Sequence, residues 1–175
     1  MDFFEAVEKR YSHKGRFLAD CVPLENLERI AKAGLAAPSG GNSQCVRLVI
    51  LRNAEELEGL RRLSPNHGGL VTAPAAIALL TKVQTGDINF EVEDYAAATE
   101  NMLLAAVALG YAALWLDHPY FNEDTQKAAL EVLGAPASCR LRVVIPVGLP
   151  DGDGERREKL PFSERVSYGR FGQRG

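Results

Sequence analysis

The stretch from about Val92 to Leu109, closed by Gly110, constrains the fold of this chain more than any other segment. It reads as one long helix, with glycine at the position just past the C-terminus where a left-handed residue is favoured. It carries Met102, Leu103, Ala105, Ala106, Val107 and Leu109. So many alanines call for close helix–helix contact, either within the chain or across a dimer.

The other elements are punctuated clearly. Asp2-x-x-Glu5 is a capping-box-like start to a helix through about Arg10. Pro23 suits the first position of a second helix, whose Leu24, Leu27, Ile30, Ala31 and Leu35 recur at helical spacing and which stops before Pro38. Val46–Leu51 reads as a strand, and Asn53 with Glu56 caps a short helix through Leu63. Ser64–Gly69 is a loop by composition, and Ala75–Thr81 is a continuous apolar run typical of a buried strand. Gln84–Phe90 has no period and reads as a surface excursion. Ala112–Leu116 and Arg140–Val147 are strand candidates, separated by a helix that Asn122 caps and Gly134 closes. Pro150–Gly154 is a turn-rich loop, and the tail holds one helical turn within Pro161–Val166. The residues alone therefore predict one mixed α/β domain over 1–175, without repeats or linkers.

Composition narrows the function. A formal charge of −3 gives no global attraction to nucleic acid or anionic membranes, so cations matter here as local clusters. No apolar run is long enough to span a bilayer, and Met1–Glu5 opens without the apolar region of a signal peptide. Cys21, Cys45 and Cys139 are an odd, scattered set without C-x-x-C spacing, which argues against a disulfide framework or a zinc site and for a reducing cytoplasm. His13, His67 and His118 have no metal-ligand spacing with one another or with the cysteines. Rossmann, P-loop and nucleophile-elbow motifs are all missing.

Three polar segments remain. Arg10-x-Ser12-x-Lys14 puts two cations and a hydroxyl on one side of an extended stretch, although cations after a helix also simply suit its dipole. Ala37–Gln44 crowds Ser39, Asn42, Ser43 and Gln44 around Pro38, Gly40 and Gly41, which is either a tight helix-to-strand connection or a ligand-binding turn. Arg156-Arg157-Glu158-Lys159 is a third basic cluster. Together the cations suit a phosphate, and the hydroxyls and amides suit a ribityl chain or heterocycle.

In order and spacing these segments resemble the nitroreductase-like flavoproteins. Arg10-x-Ser12-x-Lys14 is similar to that family's N-terminal signature, and Ala37-Pro38-Ser39-x-x-Asn42-x-Gln44 to its proline–serine turn. Asp94–Gly110 is similar to its long central helix, and Arg157-x-Lys159-x-Pro161 with Glu164-x-Val166 to its C-terminal basic motif. The resemblance implies an α+β fold with a central mixed β-sheet flanked by helices, in an intertwined homodimer. It implies FMN bound between subunits: Arg10, Ser12, Lys14, Arg157 and Lys159 from one, and Pro38, Ser39 and Asn42 from the other. Asn66 matches a position that often meets the isoalloxazine ring, and Leu116, Asp117 and His118 fall where a backbone N–H commonly meets flavin N5. The sequence departs from the pattern at Cys45-Val46, which replace Pro-Trp, and at Lys159, where arginine is frequent. Gly69 stands where some relatives have a lysine near the flavin pyrimidine edge, which makes Lys14 the candidate replacement.

The implied activity is FMN-dependent oxidation of NAD(P)H, with a nitroaromatic, quinone or similar electron-poor acceptor reduced by ping-pong hydride transfer. No side chain is required as an acid–base catalyst, and no metal is expected. The alternative is a flavin-binding carrier, sensor or flavin-processing protein without efficient turnover. A dehalogenase-like lid over Gln84–Glu93 would offer only Asp87, Glu91 and Glu93.

Overall fold

The structure, a computed structural model, describes residues 1–83, 89–120, 122–154 and 156–175. Four strands form one sheet in the order β1-β2-β4-β3, where β1 is Val46–Leu51, β2 Ala75–Lys82, β3 Ala112–Ala113 and β4 Cys139–Gly148. Every named pair is antiparallel, and among the described residues the parallel component is a single bridge between Ser12 and Ala113. This is the α+β architecture expected, with helices on both sheet faces.

The two faces explain why β2 reads as an unbroken apolar run. Its Ala75, Ile77 and Leu79 join one core with helices α2 (Leu24–Leu35) and α5 (Glu91–Ala108). Its Ala76, Ala78 and Leu80 join a second core with α3 (Ala54–Leu63) and α6 (Glu123–Val132). Both faces of β2 are thus buried, so period-2 alternation vanishes. The short α1 (Phe3–Lys9) starts where the carboxylate of Asp2 accepts from Glu5 N, and α7 (Phe162–Arg165) is the turn foreseen in the tail.

Three of the alanines of α5, Ala98, Ala105 and Ala106, serve contact within the chain. Ala98, Met102 and Ala106 face α2, where a Cβ on Gly34 would stand 2.6 Å from Met102 Cγ. Asn101 adds a hydrogen bond from its side-chain nitrogen to Ala33 O at 3.1 Å. Gly110, at φ +85, closes the helix as the pattern required.

Four expectations shift. Pro23 is the N-cap of α2 rather than its first residue. Gly68–Thr72 forms a short helix, α4, so the loop ends at His67. The ladder at Ala112–Leu116 covers only two residues before breaking; Leu116 rejoins it by bridging Val144. The surface excursion predicted at Gln84–Phe90 falls largely on residues 84–88, outside the described residues.

Register between β2 and β4 slips between Leu79 and Leu80, which pair with Val143 and Leu141. Arg142 is the bulged residue, and the bulge aims it off the ladder. Its guanidinium meets the buried carboxylate of Glu91, with Nε 2.9 Å from Oε1, and lies over the Tyr95 ring at 5.6 Å. The Thr81 hydroxyl also donates to Glu91. Burial alone would raise the Glu91 pKa, but the Thr81 hydroxyl and then Arg142 hold it below its usual value. Glu91 is therefore committed to anchoring α5, and of the acids weighed for a lid only Glu93 is described as exposed.

Candidate functional site

Residues 10–14 run extended beside β3. His13 N donates to Ala113 O at 3.0 Å, and residues alternate across the strand: His13 is buried, while Ser12 and Lys14 are exposed. The His13 ring acts as a strut beneath them. Its Nε2 donates to the Arg16 carbonyl at 2.8 Å, which leaves Nδ1 facing the Tyr11 hydroxyl at 3.4 Å. Burial, and then the Asp153 carboxylate, push the Tyr11 phenol up, so it stays a donor.

The C-terminal basic cluster arrives at the same place by backbone pairing. Leu18 N donates to Leu149 O, and Asp151 N donates to Arg16 O at 2.8 Å. Gly154 then packs so tightly on Tyr11 that a Cβ there would fall 1.9 Å from the ring's Cε2. A cleft of about 400 Å³ results, lined by Arg10, Ser12 and Lys14 together with Arg156, Arg157 and Lys159, and by the acids Asp151 and Asp153 among others. Five of the expected contacts therefore converge. Arg10 is oriented from α5, its Nε 3.0 Å from Glu100 Oε1.

The second segment builds a different cleft, of about 420 Å³, lined by Pro38, Ser39, Gln44, Cys45 and Asp94 among others. Here the chain turns through left-handed backbone at Gly41, Asn42 and Gln44, with φ of +57, +57 and +46. A left-handed glutamine is uncommon, and such residues persist only where surroundings enforce them. The enforcing contacts are Gln44 N to Ser39 Oγ at 3.1 Å, and a carboxylate reaching in from α5. Asp94 accepts from Gly40 N at 2.7 Å, Ser43 Oγ at 2.7 Å and Cys45 Sγ at 3.4 Å. Asn42 itself is exposed at the apex of this turn.

The two clefts share no lining residue. Asn66 lies in neither; it is exposed on the loop before α4. Leu116 is corrected outright as a donor: it is buried, and its N–H is already given to Val144 O at 3.1 Å. Asp117 accepts from Trp115 Nε1 at 2.9 Å, and His118 is exposed in the turn that follows. At Gly69 a Cβ would sit 3.4 Å from His13 O, so this glycine flanks the Arg10–Lys14 segment.

Asp94, Glu100, Tyr11, His13 and Gly154 escaped sequence reasoning as site residues. Asp94 and Glu100 read as ordinary helix acids, and only tertiary packing reveals that they reach across to distant segments.

With this geometry in place, comparison with known proteins is decisive. The model of the nitroreductase family matches residues 7–67 and 64–149. The chain belongs to the nitroreductase family. Among family relatives, the "putative NADH dehydrogenase/NAD(P)H nitroreductase" of Archaeoglobus fulgidus is 35% identical over 128 residues, 72% of this chain and 73% of that one. A protein of the same description from Methanothermobacter thermautotrophicus is 30% identical over 151 residues, 86% of this chain and 78% of its own. The crystal structure of a "putative nitroreductase in complex with FMN" from Desulfovibrio desulfuricans superposes with a TM-score of 0.82 at 25% identity, covering 98% of both chains. The nitroreductase fold thus accounts for the whole layout.

Proposed function

We propose that this nitroreductase-family chain is an FMN-dependent NAD(P)H oxidoreductase that works as a homodimer. The observation that carries the reading is the separation of two complementary half-sites in one chain. A cationic cleft suited to a phosphate holds Arg10, Lys14, Arg157 and Lys159, while Pro38 and Ser39 line another cleft, with Asn42 exposed at the apex of the same turn. A symmetric dimer is the economical way to bring the first half of one subunit to the second half of its partner.

The chain's surface supports a dimer. Phe3 and Phe4 are exposed on α1, as are Leu160 and Phe162 near α7, and Phe171 is fully exposed. Burial of such side chains needs another surface, because among the described residues from 151 onward only Val166 is even half-buried.

The donor set of the cationic cleft fits FMN: a dianionic phosphate is held by charge-assisted bonds from lysine and arginine, and the Ser12 hydroxyl suits the ribityl chain. Bound FMN would supply hydride transfer between NAD(P)H and an electron-poor acceptor such as a nitroaromatic or quinone. The chain's part is to hold, orient and charge-balance. Arg157 and Lys159 bind the phosphate, Ser12 and Lys14 address the groups above it, and Pro38, Ser39 and Asn42 of the other subunit close the far side. Lys14 is assigned to balance negative charge in place of the lysine that Gly69 lacks, and Asp117 and His118 to border the ring with Asn66. NAD(P)H and acceptor use one exposed face in turn, which gives ping-pong kinetics without an acid–base side chain. A cytoplasmic setting completes the proposal; none of the three cysteines forms a disulfide, and no described helix is long and apolar enough to cross a membrane.

The test is an anaerobic visible spectrum of the purified protein before and after NADH or NADPH, with molar mass measured by light scattering. Bound flavin that bleaches, in a dimer, is the expected result. Bound flavin that refuses to bleach would favour the carrier or sensor role, and a protein that cannot be reconstituted with FMN would end the proposal.

A further inference from the structure

The turn Ser39–Cys45 is caught between two elements of α5's first turn. On one side Phe90 packs against Gly40 so closely that a Cβ there would fall 2.2 Å from the ring's Cδ2. On the other stands Asp94, only 3% exposed, with both carboxylate oxygens engaged by the turn. Among the described residues no cation lies within ion-pair distance of Asp94. Its charge is supported instead by the Gly40 N–H, the Ser43 hydroxyl, the Cys45 thiol and the N-terminal turn of an 18-residue helix.

The dependence is mutual. A buried carboxylate must keep its donors, and those donors sit in backbone that turns left-handed at Gly41, Asn42 and Gln44. We propose that Asp94 is a positioning residue, whose carboxylate sets the shape in which Pro38, Ser39 and Asn42 meet the flavin of the partner subunit's half-site. It touches the turn and acts through it, saving the ligand the cost of ordering seven residues of backbone on binding. This inference rests on the reading of the protein as an FMN enzyme.

Three variants and one control test it in the full-length protein. Asp94→Ala removes every acceptor. Asp94→Asn conserves volume, with its amide oxygen accepting from Gly40 N while the Ser43 hydroxyl reverses to accept from the amide nitrogen. Ser43→Ala removes one donor at an exposed position and leaves the fold intact. Glu91→Gln damages the buried pair at the same end of α5 without touching the turn. Apoprotein of each is titrated with FMN by fluorescence quenching, and the visible circular dichroism of bound flavin and the Tm are recorded.

The expected result is an FMN affinity lowered about tenfold or more by Asp94→Ala, with an altered flavin dichroism, and partial rescue by Asp94→Asn. Ser43→Ala should fall between wild type and Asp94→Ala. Glu91→Gln should lower the Tm and leave affinity within about twofold of wild type. If Asp94→Ala does not fold, Asp94→Asn and Ser43→Ala carry the decision by the same readouts. Wild-type binding with variants at wild-type affinity and dichroism overturns the role of Asp94 alone. An affinity loss that merely tracks Tm, with Glu91→Gln losing as much, overturns it too. A wild-type protein that does not bind FMN takes down both this role and the functional reading beneath it.

Discussion

The cationic cleft and the Ser39–Cys45 turn solve the same problem, presenting polar groups to a ligand, in opposite ways. The cleft is assembled from outside. Residues 16–18 and 149–151 are joined by backbone hydrogen bonds, but Lys14, Arg157 and Lys159 project from exposed chain. The turn is assembled from inside, by a buried carboxylate and strained dihedrals. Long flexible cations need little pre-organisation to find a phosphate, because Coulomb attraction is forgiving of direction. Backbone groups and short side chains are not forgiving, so the turn must be held before the ligand comes.

The largest effect should come from removing the charges that the cleft cannot replace. Arg157→Ala combined with Lys159→Ala deletes charge-assisted bonds, and FMN affinity should fall about a hundredfold or more. Both residues are exposed, so the Tm should stay near wild type. A fluorescence titration paired with a melt checks this, and unchanged affinity would remove the cleft from the site.

Next is the buried pair of Glu91 and Arg142, which anchors the first turn of α5 to the sheet. Arg142→Met leaves Glu91 buried without its counter-charge and should cost about 3 kcal/mol of stability. Acid should act on the same pair. The folded Glu91 carboxyl titrates below its ordinary 4.5, so its stabilisation is present above that value and is lost as pH falls through the lower, folded one. Below pH 4.5 the wild-type Tm should therefore fall more steeply than that of Glu91→Gln. Parallel slopes would show that the pair is not what acid breaks.

Much of this was legible in the sequence. Asp2, Asn53 and Asn122 each cap the helix they were expected to cap, and Gly110 and Gly134 both end helices with positive φ. Those signals are local, because a cap bonds its own first turn. The polar segments were also legible as segments, and five of their residues meet in one cleft. What could not be read were bonds across distance. The Asp94 carboxylate reaches Gly40, and Glu100 reaches Arg10, with no periodicity to announce either. Leu116 shows the converse: a motif position near the expected ring gives its N–H to Val144 O, a partner twenty-eight residues away that no local pattern announces.

A smaller effect should separate the cleft's wall from its charges. Gly154→Val would drive a side chain into the Tyr11 ring, which is held on its other side by His13. The exposed tail should yield rather than the core, swinging Arg157 and Lys159 outward. FMN affinity should then fall about tenfold while the Tm changes little. A large fall in Tm with normal affinity would mean that Tyr11 moves and the tail does not.

The smallest effect is expected at Gly41, where backbone strain can be isolated from packing. Its φ is +57, yet a Cβ placed there would meet nothing within 4 Å. Gly41→Ala should therefore cost only the left-handed penalty, about 1 kcal/mol, and Gly41→Asn less, because asparagine visits that region more readily. Chemical denaturation of the apoprotein measures this directly. If the turn is held from inside by Asp94, the strain is absorbed by the fold, and FMN affinity should change no more than stability does. If instead affinity falls well beyond stability in both variants, the empty space beside Gly41 is where the ligand lies, and the turn meets it through its backbone as well as through Ser39 and Asn42.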